Sequence, residues 1–210
     1  MTLNQTLSEL AQHVPGYRGL RRRRVIENLR RQIAATSPLN LMIGGGQTSY
    51  EGWIFTDRDF LDVTQPDEWA ALFTPDSIDR ILSEHMLEHL PEDAARVTLL
   101  ACHRYLKTGG LLRLAVPDGY RRDAAYVAEA APPNDGHQVF YNIDTLTSLL
   151  SSIGFAVTPL EYFDADEKFH ARPWDENEGM IMRSVRFDTQ KDFQRGDLSY
   201  TSLIVDARKL

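Results

Sequence analysis

Residues 39 to 57, LNLMIGGGQTSYEGWIFTD, carry the pattern that decides the fold. Leu39 to Ile43 reads as an apolar strand, Gly44, Gly45 and Gly46 as a corner without Cβ atoms, and Trp53 to Thr56 as a second strand closed by Asp57. A strand, a glycine corner, a second strand and a carboxylate are what an open α/β sheet uses to hold a nucleotide-like ligand at its strand ends. The glycines let the backbone turn and approach a ligand closely. Asp57 can accept both hydrogen bonds of a ribose diol. Only six residues separate Gly46 from Trp53, too few for a normal crossover helix, which counts against a dinucleotide pyrophosphate site.

Downstream, Asp59 and Asp62 follow the second strand, with Asp62 a candidate at the ligand's edge. A polar connector over residues 64 to 77 contains an amphipathic turn at Trp69 to Phe73. Ile78 to Leu82 is a strand whose end delivers Ser83, Glu84 and His85 to the edge shared with the glycine corner, since parallel strands present their C-terminal ends on one side. Here the string His85-Met86-Leu87-Glu88-His89 matches an inverted zinc-protease signature. Helical spacing would put both histidines on one face, but Pro91 ends the segment early, so the string reads as structural and no metal is expected.

Glu92 to Leu106 reads as a helix ended by Lys107-Thr108-Gly109-Gly110, and Leu111 to Val116 as a central strand. Cys102 falls on the inner side of that helix and reads as core. After the strand, Asp118, Tyr120 and Arg121 are candidates for a substrate wall, and His137 for a substrate contact after the breaker at residues 131 to 136. A helix over 145 to 153, capped by Asn142 or Asp144, leads to a strand at Phe155 to Phe163. Ile181 to Phe187 and Tyr200 to Ala207 read as the remaining strands.

Upstream, residues 1 to 35 read as two helical segments whose apolar stripe can pack on the main domain or join two subunits. Seven arginines lie in the first 31 residues, leaving 16 basic against 28 acidic residues from position 32 onward, so the body is not built to attract nucleic acid. The leader's arginines read chiefly as a solvated face paired with the acidic body. One cysteine excludes an internal disulfide, and no run approaches the 18 apolar residues of a membrane span. A cytoplasmic protein is the expectation.

Taken together, LMIGGG, EGWIFTD, SIDRILSEHMLEHL, RYLKTGGLLRLAVPD, GFAVTPLEYFD and LIVDARK resemble the class I S-adenosylmethionine-dependent methyltransferases, in particular their small type 11-like branch. The resemblance implies an α/β, Rossmann-like sheet of seven strands with the last antiparallel, which places a methyltransferase-like domain over residues 36 to 210 with an inserted segment around 164 to 197; the helical extension at 1 to 35 lies outside the resemblance. It also implies S-adenosylmethionine as cofactor, with Gly44, Gly45 and Gly46 at its methionine part and Asp57 on its ribose. Asp62 or the 69 to 73 turn would border the adenine, and Ser83, Glu84 and His85 the sulfonium side. His85, His137 and Asp118 are candidate bases, and Tyr120, Arg121 and His137 candidate substrate contacts. Kinship points to a small-molecule or saccharide acceptor. Two departures, Met42 where an acid is usual and Thr48 for the third glycine, keep a non-catalytic scaffold as an alternative reading, and the arginine leader keeps a methyltransferase of RNA or protein as another.

Overall fold

A computed structural model describes residues 17–45, 50–188 and 202–210. Gly46, Thr48 and the first helical segment of the leader lie outside them. The elements are α1 (Tyr17–Ala35), β1 (Asn40–Ile43), β2 (Ile54–Thr56), α2 (Pro66–Leu72), β3 (Ile78–Glu84), α3 (Glu92–Tyr105), β4 (Leu106–Val116), α4 (Ala124–Ala130), α5 (Ile143–Ile153), β5 (Phe155–Phe163), β6 (Phe169–Ala171), α6 (Val185–Asp188) and β7 (Leu203–Lys209). One seven-stranded sheet runs in the order β2-β1-β3-β4-β7-β5-β6. β2, β1, β3 and β4 are parallel, and β7 is antiparallel to both β4 and β5.

Alternation along the strands divides the core between two faces. Leu41 and Ile43 of β1, Leu112, Leu114 and Val116 of β4, and Leu203, Val205 and Ala207 of β7 meet the inner sides of α2, α3 and α5. Trp69 of α2 is fully buried there and stacks on Tyr105 of α3 with ring centroids 5.5 Å apart. Cys102 is buried in the same layer, as its helical position implied. On the opposite face Met42, Leu82, Ala115, Leu160, Ile181 and Ile204 form a smaller cluster with Trp53, Phe55 and Trp174 around it. Met42 is thus a core residue facing away from the helical layer.

That second face is covered by the segment after β6 where a doubly wound sheet would carry crossover helices. Arg113, fully buried in β4, donates to the carbonyls of Asp175 and Gly179, each at 2.6 Å, and stacks over Trp174. Glu161 of β5, also buried, accepts from Trp174 Nε1 and from the Val185 amide.

These contacts correct the expectation of a strand at Ile181 to Phe187. The amides of Met182 and Arg183 donate to the Glu84 carboxylate and that of Val185 to Glu161, so they are not free to join a ladder. Ile181 plugs the sheet face, and the chain then forms the short α6. The seventh strand is instead β6, hairpinned onto β5. A second correction concerns Lys107-Thr108-Gly109-Gly110: α3 ends at Tyr105, and these residues already belong to β4, with Lys107 paired to Asp79 of β3 at 2.7 Å.

α1 packs its apolar side on the main body. Leu29 is buried in the core and Ile33 packs against it, while Arg22 bonds Glu68 and the Asp59 carbonyl, and Arg30 the Ala71 carbonyl. Burying one leucine contributes about 1.5–3 kcal/mol, more than an exposed ion pair provides. Among the described residues no helix is long and apolar enough to cross a membrane.

Candidate active site

The register of β1 and β2 builds the site's corner. Ile43 pairs with Thr56, and Thr56 Oγ1 donates to the Met42 carbonyl at 2.9 Å, so Gly44 and Asp57 emerge side by side at the strand ends. Gly44 adopts φ +64°, in the left-handed region that favours glycine. A Cβ there would stand 2.3 Å from Met86 Cγ. Across the corner the backbone of β3 continues through His85, whose amide donates to the Ala115 carbonyl, and then turns at His85 itself, φ +51°. That turn lays Met86 on Gly44 and carries the chain into a 3-10 turn at Leu87–His89.

Between these walls opens a cavity of about 520 Å³, bounded by Gly44, Asp57, Asp62, His85, Met86 and His89, with Leu61, Val63, Leu90 and Ala94 giving it an apolar side. Its size is within the range of small-molecule and cofactor sites. Asp57 is partly exposed at the rim, with Oδ1 accepting from the Arg58 amide at 2.6 Å and no described partner on Oδ2. Asp62 accepts from the amide and hydroxyl of Thr64 and closes its own loop.

The residues read from the sequence divide into groups. Gly44, Asp57, Asp62 and His85 meet at the cavity, and Gly45 adjoins them in the corner, where a Cβ would strike Phe55 at 2.7 Å. Ser83 is buried within β3 and does not line the cavity. Glu84 points to the other face, where it binds the Met182 and Arg183 amides. Trp69 and Phe73 are core and do not border the cavity. Asp118 is almost fully buried, and its two oxygens accept from the Tyr120 and Phe163 amides, bracing the β4 exit against β5. Desolvation pushes its carboxyl up to about 6 against the opposing pull of those two amides. Tyr120 bonds Asp144, and Arg121 lies over the Tyr126 ring.

His85 is held through Nε2, 2.7 Å from Ser202 Oγ at the entry to β7, while its Nδ1 stands 3.1 Å from Glu88 Oε1. The expectation of two histidines on one helical face fails, because the turn at His85 interrupts the helix. Sequence spacing also missed the partner that His89 does have. His137 packs edge-on against it at 4.8 Å, and Glu88, His89 and His137 bring one ligand atom each within 4.8 Å of one another. No local signal joins positions 88 and 137. Their meeting depends on the Gln138 and Val139 amides, both of which donate to the Glu88 carbonyl.

The strand order, the antiparallel β7 and a cavity beside a glycine corner and an acid-tipped β2 define a class I S-adenosylmethionine-dependent methyltransferase fold. The chain belongs to the methyltransferase-domain family, whose model matches residues 21–160. Among solved structures it is similar to an S-adenosylmethionine-dependent methyltransferase from Archaeoglobus fulgidus, at 16% identity and a TM-score of 0.53 over 99% of this chain and 100% of that one. It is also similar to one from Mesorhizobium loti, at 15% identity and a TM-score of 0.49 over 85% and 96%. At these identities the likeness is one of fold. No curated protein sequence matches significantly.

The corner fits the cofactor this family uses. A rim carboxylate with one oxygen unpartnered among the described residues, a glycine in the left-handed region and an apolar side wall are what a ribose, a flexible amino-acid tail and a purine require, respectively. The chain is a methyltransferase-domain protein whose fold is consistent with S-adenosylmethionine as its cofactor.

Proposed function

We propose that the acceptor is a small molecule or a saccharide and that the chain falls in the type 11-like branch. What supports the acceptor class is the His85 and His89 end of the cavity, left beside the residues assigned to the cofactor, on a body of strongly acidic balance. Of the described α1 arginines, Arg22 and Arg30 are engaged with Glu68 and with backbone carbonyls of the domain, while Arg23, Arg24 and Arg31 are exposed.

In this reading Asp57 holds the ribose hydroxyls, Gly44 and Gly45 admit the methionine tail, and Leu61, Val63, Leu90 and Ala94 sandwich the adenine beside Asp62. Bound S-adenosylmethionine supplies an electrophilic methyl group on its sulfonium. The protein's task is to align the acceptor and to take its proton. Of the three histidine and aspartate candidates, His85 lines the cavity, with Ser202 Oγ 2.7 Å from its Nε2. Asp118 acts as a brace. The departure at Met42 does not reach the cavity, since its side chain belongs to the opposite cluster, and this favours an active enzyme over a scaffold.

Incubation with methyl-labelled S-adenosylmethionine and panels of saccharides, small hydroxylated molecules, RNA and proteins tests the proposal. Label in a saccharide or small molecule is the expected result, and label confined to RNA or protein contradicts it.

A further inference from the structure

Glu88 is the most unusual side chain in the molecule. It is fully buried, and neither carboxylate oxygen has a hydrogen-bond partner among the described residues. His85 Nδ1 approaches Oε1 to 3.1 Å, but off the axis of a hydrogen bond, and His137 Nε2 stands 4.0 Å away. An orphaned buried carboxylate is costly, and such groups in native proteins are paired or bind ions.

The histidine beside it is set up as a ligand. His137 Nδ1 lies 2.6 Å from the Ala130 carbonyl, which can only accept, so Nδ1 carries a proton, and Nε2 stands 4.0 Å from Glu88 Oε1 and from Asp135 Oδ2. A ring nitrogen held by a carbonyl while the other faces an acid is the outer arrangement typical of metal-binding histidines. His89 completes the trio from the exposed side and lines the cavity, so the cluster opens onto the space where the acceptor would sit. The Gln138 and Val139 amides hold the two chain segments together independently of any ion.

We propose that Glu88, His89 and His137 form a site for a divalent first-row cation of the Mn2+ or Zn2+ type, with remaining positions open to the cavity. Two imidazoles and one carboxylate suit such ions and leave room for oxygen ligands. The inference deepens the proposed function by naming the acceptor group: a hydroxyl, bound to the cation through its oxygen and made more acidic by it. The hydroxyl's proton passes to water in the open cavity, its oxygen forms the new bond to the methyl carbon, and the carbon–sulfur bond breaks with its electron pair remaining on sulfur.

Calorimetric titration of tag-free, chelator-treated full-length protein with MnCl2 and with ZnCl2 tests the site directly. One ion per chain is expected, with affinity at least tenfold weaker in His89→Ala and His137→Ala, and a rise in melting temperature on adding the ion that both variants lose. His89 is exposed, so its substitution leaves the fold intact if the wild-type melting temperature without metal is retained. Failure of both ions to bind the wild-type protein, or equal binding by folded His89→Ala, overturns the proposal. A parallel titration with S-adenosylmethionine separates the two readings: cofactor binding without cation binding defeats this inference alone, and cation binding without cofactor binding defeats the enzymatic reading.

Discussion

Arg113 and Asp206 stand opposite each other in the β4–β7 register and share two parallel hydrogen bonds, Nε to Oδ1 at 2.7 Å and Nη2 to Oδ2 at 2.9 Å. The remaining guanidinium nitrogen reaches across to the Asp175 and Gly179 carbonyls, so one buried cation fixes both the sheet and the segment that covers it. Removing one partner of such a pair leaves a buried charge without compensation and costs about 3–5 kcal/mol. Asp206→Ala is expected to lose that much in chemical denaturation, whereas a surface change such as Arg58→Ala should stay within about 0.5 kcal/mol.

Asp118 gives the protein a pH signature. Its carboxyl is raised from 3.8 to about 6 by burial, so the folded state holds the proton more tightly than the unfolded chain does. The stability from this group is full below the unfolded value and is lost as pH rises through about 6, an order-of-magnitude loss of about 3 kcal/mol. Urea denaturation of wild type and Asp118→Asn between pH 4 and 7 should show the wild-type advantage shrinking over that window. A difference independent of pH would remove Asp118 as its source.

Gly44 and Met86 make a third test. Alanine at φ +64° costs about 1–2 kcal/mol in backbone energy, and its Cβ would also collide with the Met86 side chain. Gly44→Ala should lower the melting temperature and weaken cofactor binding together. Adding Met86→Ala removes the 2.3 Å contact with Cγ but leaves Cβ at 2.8 Å and the backbone strain, so the double variant should recover only in part.

Cys102 is fully buried, and desolvation pushes its thiol up to about 12. Thiol reagents at pH 8 should leave the native protein unlabelled and modify one group per chain in denaturant. Rapid native labelling would show that α3 opens readily.

The sheet was legible where side-chain periodicity carried the information. β1, β2, β3, the apolar half of β4, and β5 announce themselves by apolar runs, and α5 by its Asn142–Thr145 capping box and Gly154 at its end. The meeting of Gly44 and Asp57 at one cavity was legible because placement at adjacent strand ends follows from strand order alone. The strand expected at Ile181 to Phe187 failed for a long-range reason: Glu84 and Glu161, distant in sequence, take up its amides. The same blindness hid the seventh strand at β6 and the grouping of Glu88 with His137. Ser83 and Glu84 show the limit of strand-end reasoning, since alternation sends neighbouring side chains to opposite faces and one turn decides which of them reaches the ligand.

The most direct measurement is calorimetric titration of the wild-type protein and Asp57→Ala with S-adenosylmethionine. The account predicts one molecule bound per chain and an affinity weakened in the variant by about 1–3 kcal/mol, the scale of a lost pair of charge-assisted hydrogen bonds. Absence of binding by the wild-type protein, or identical affinity in folded Asp57→Ala, would contradict it.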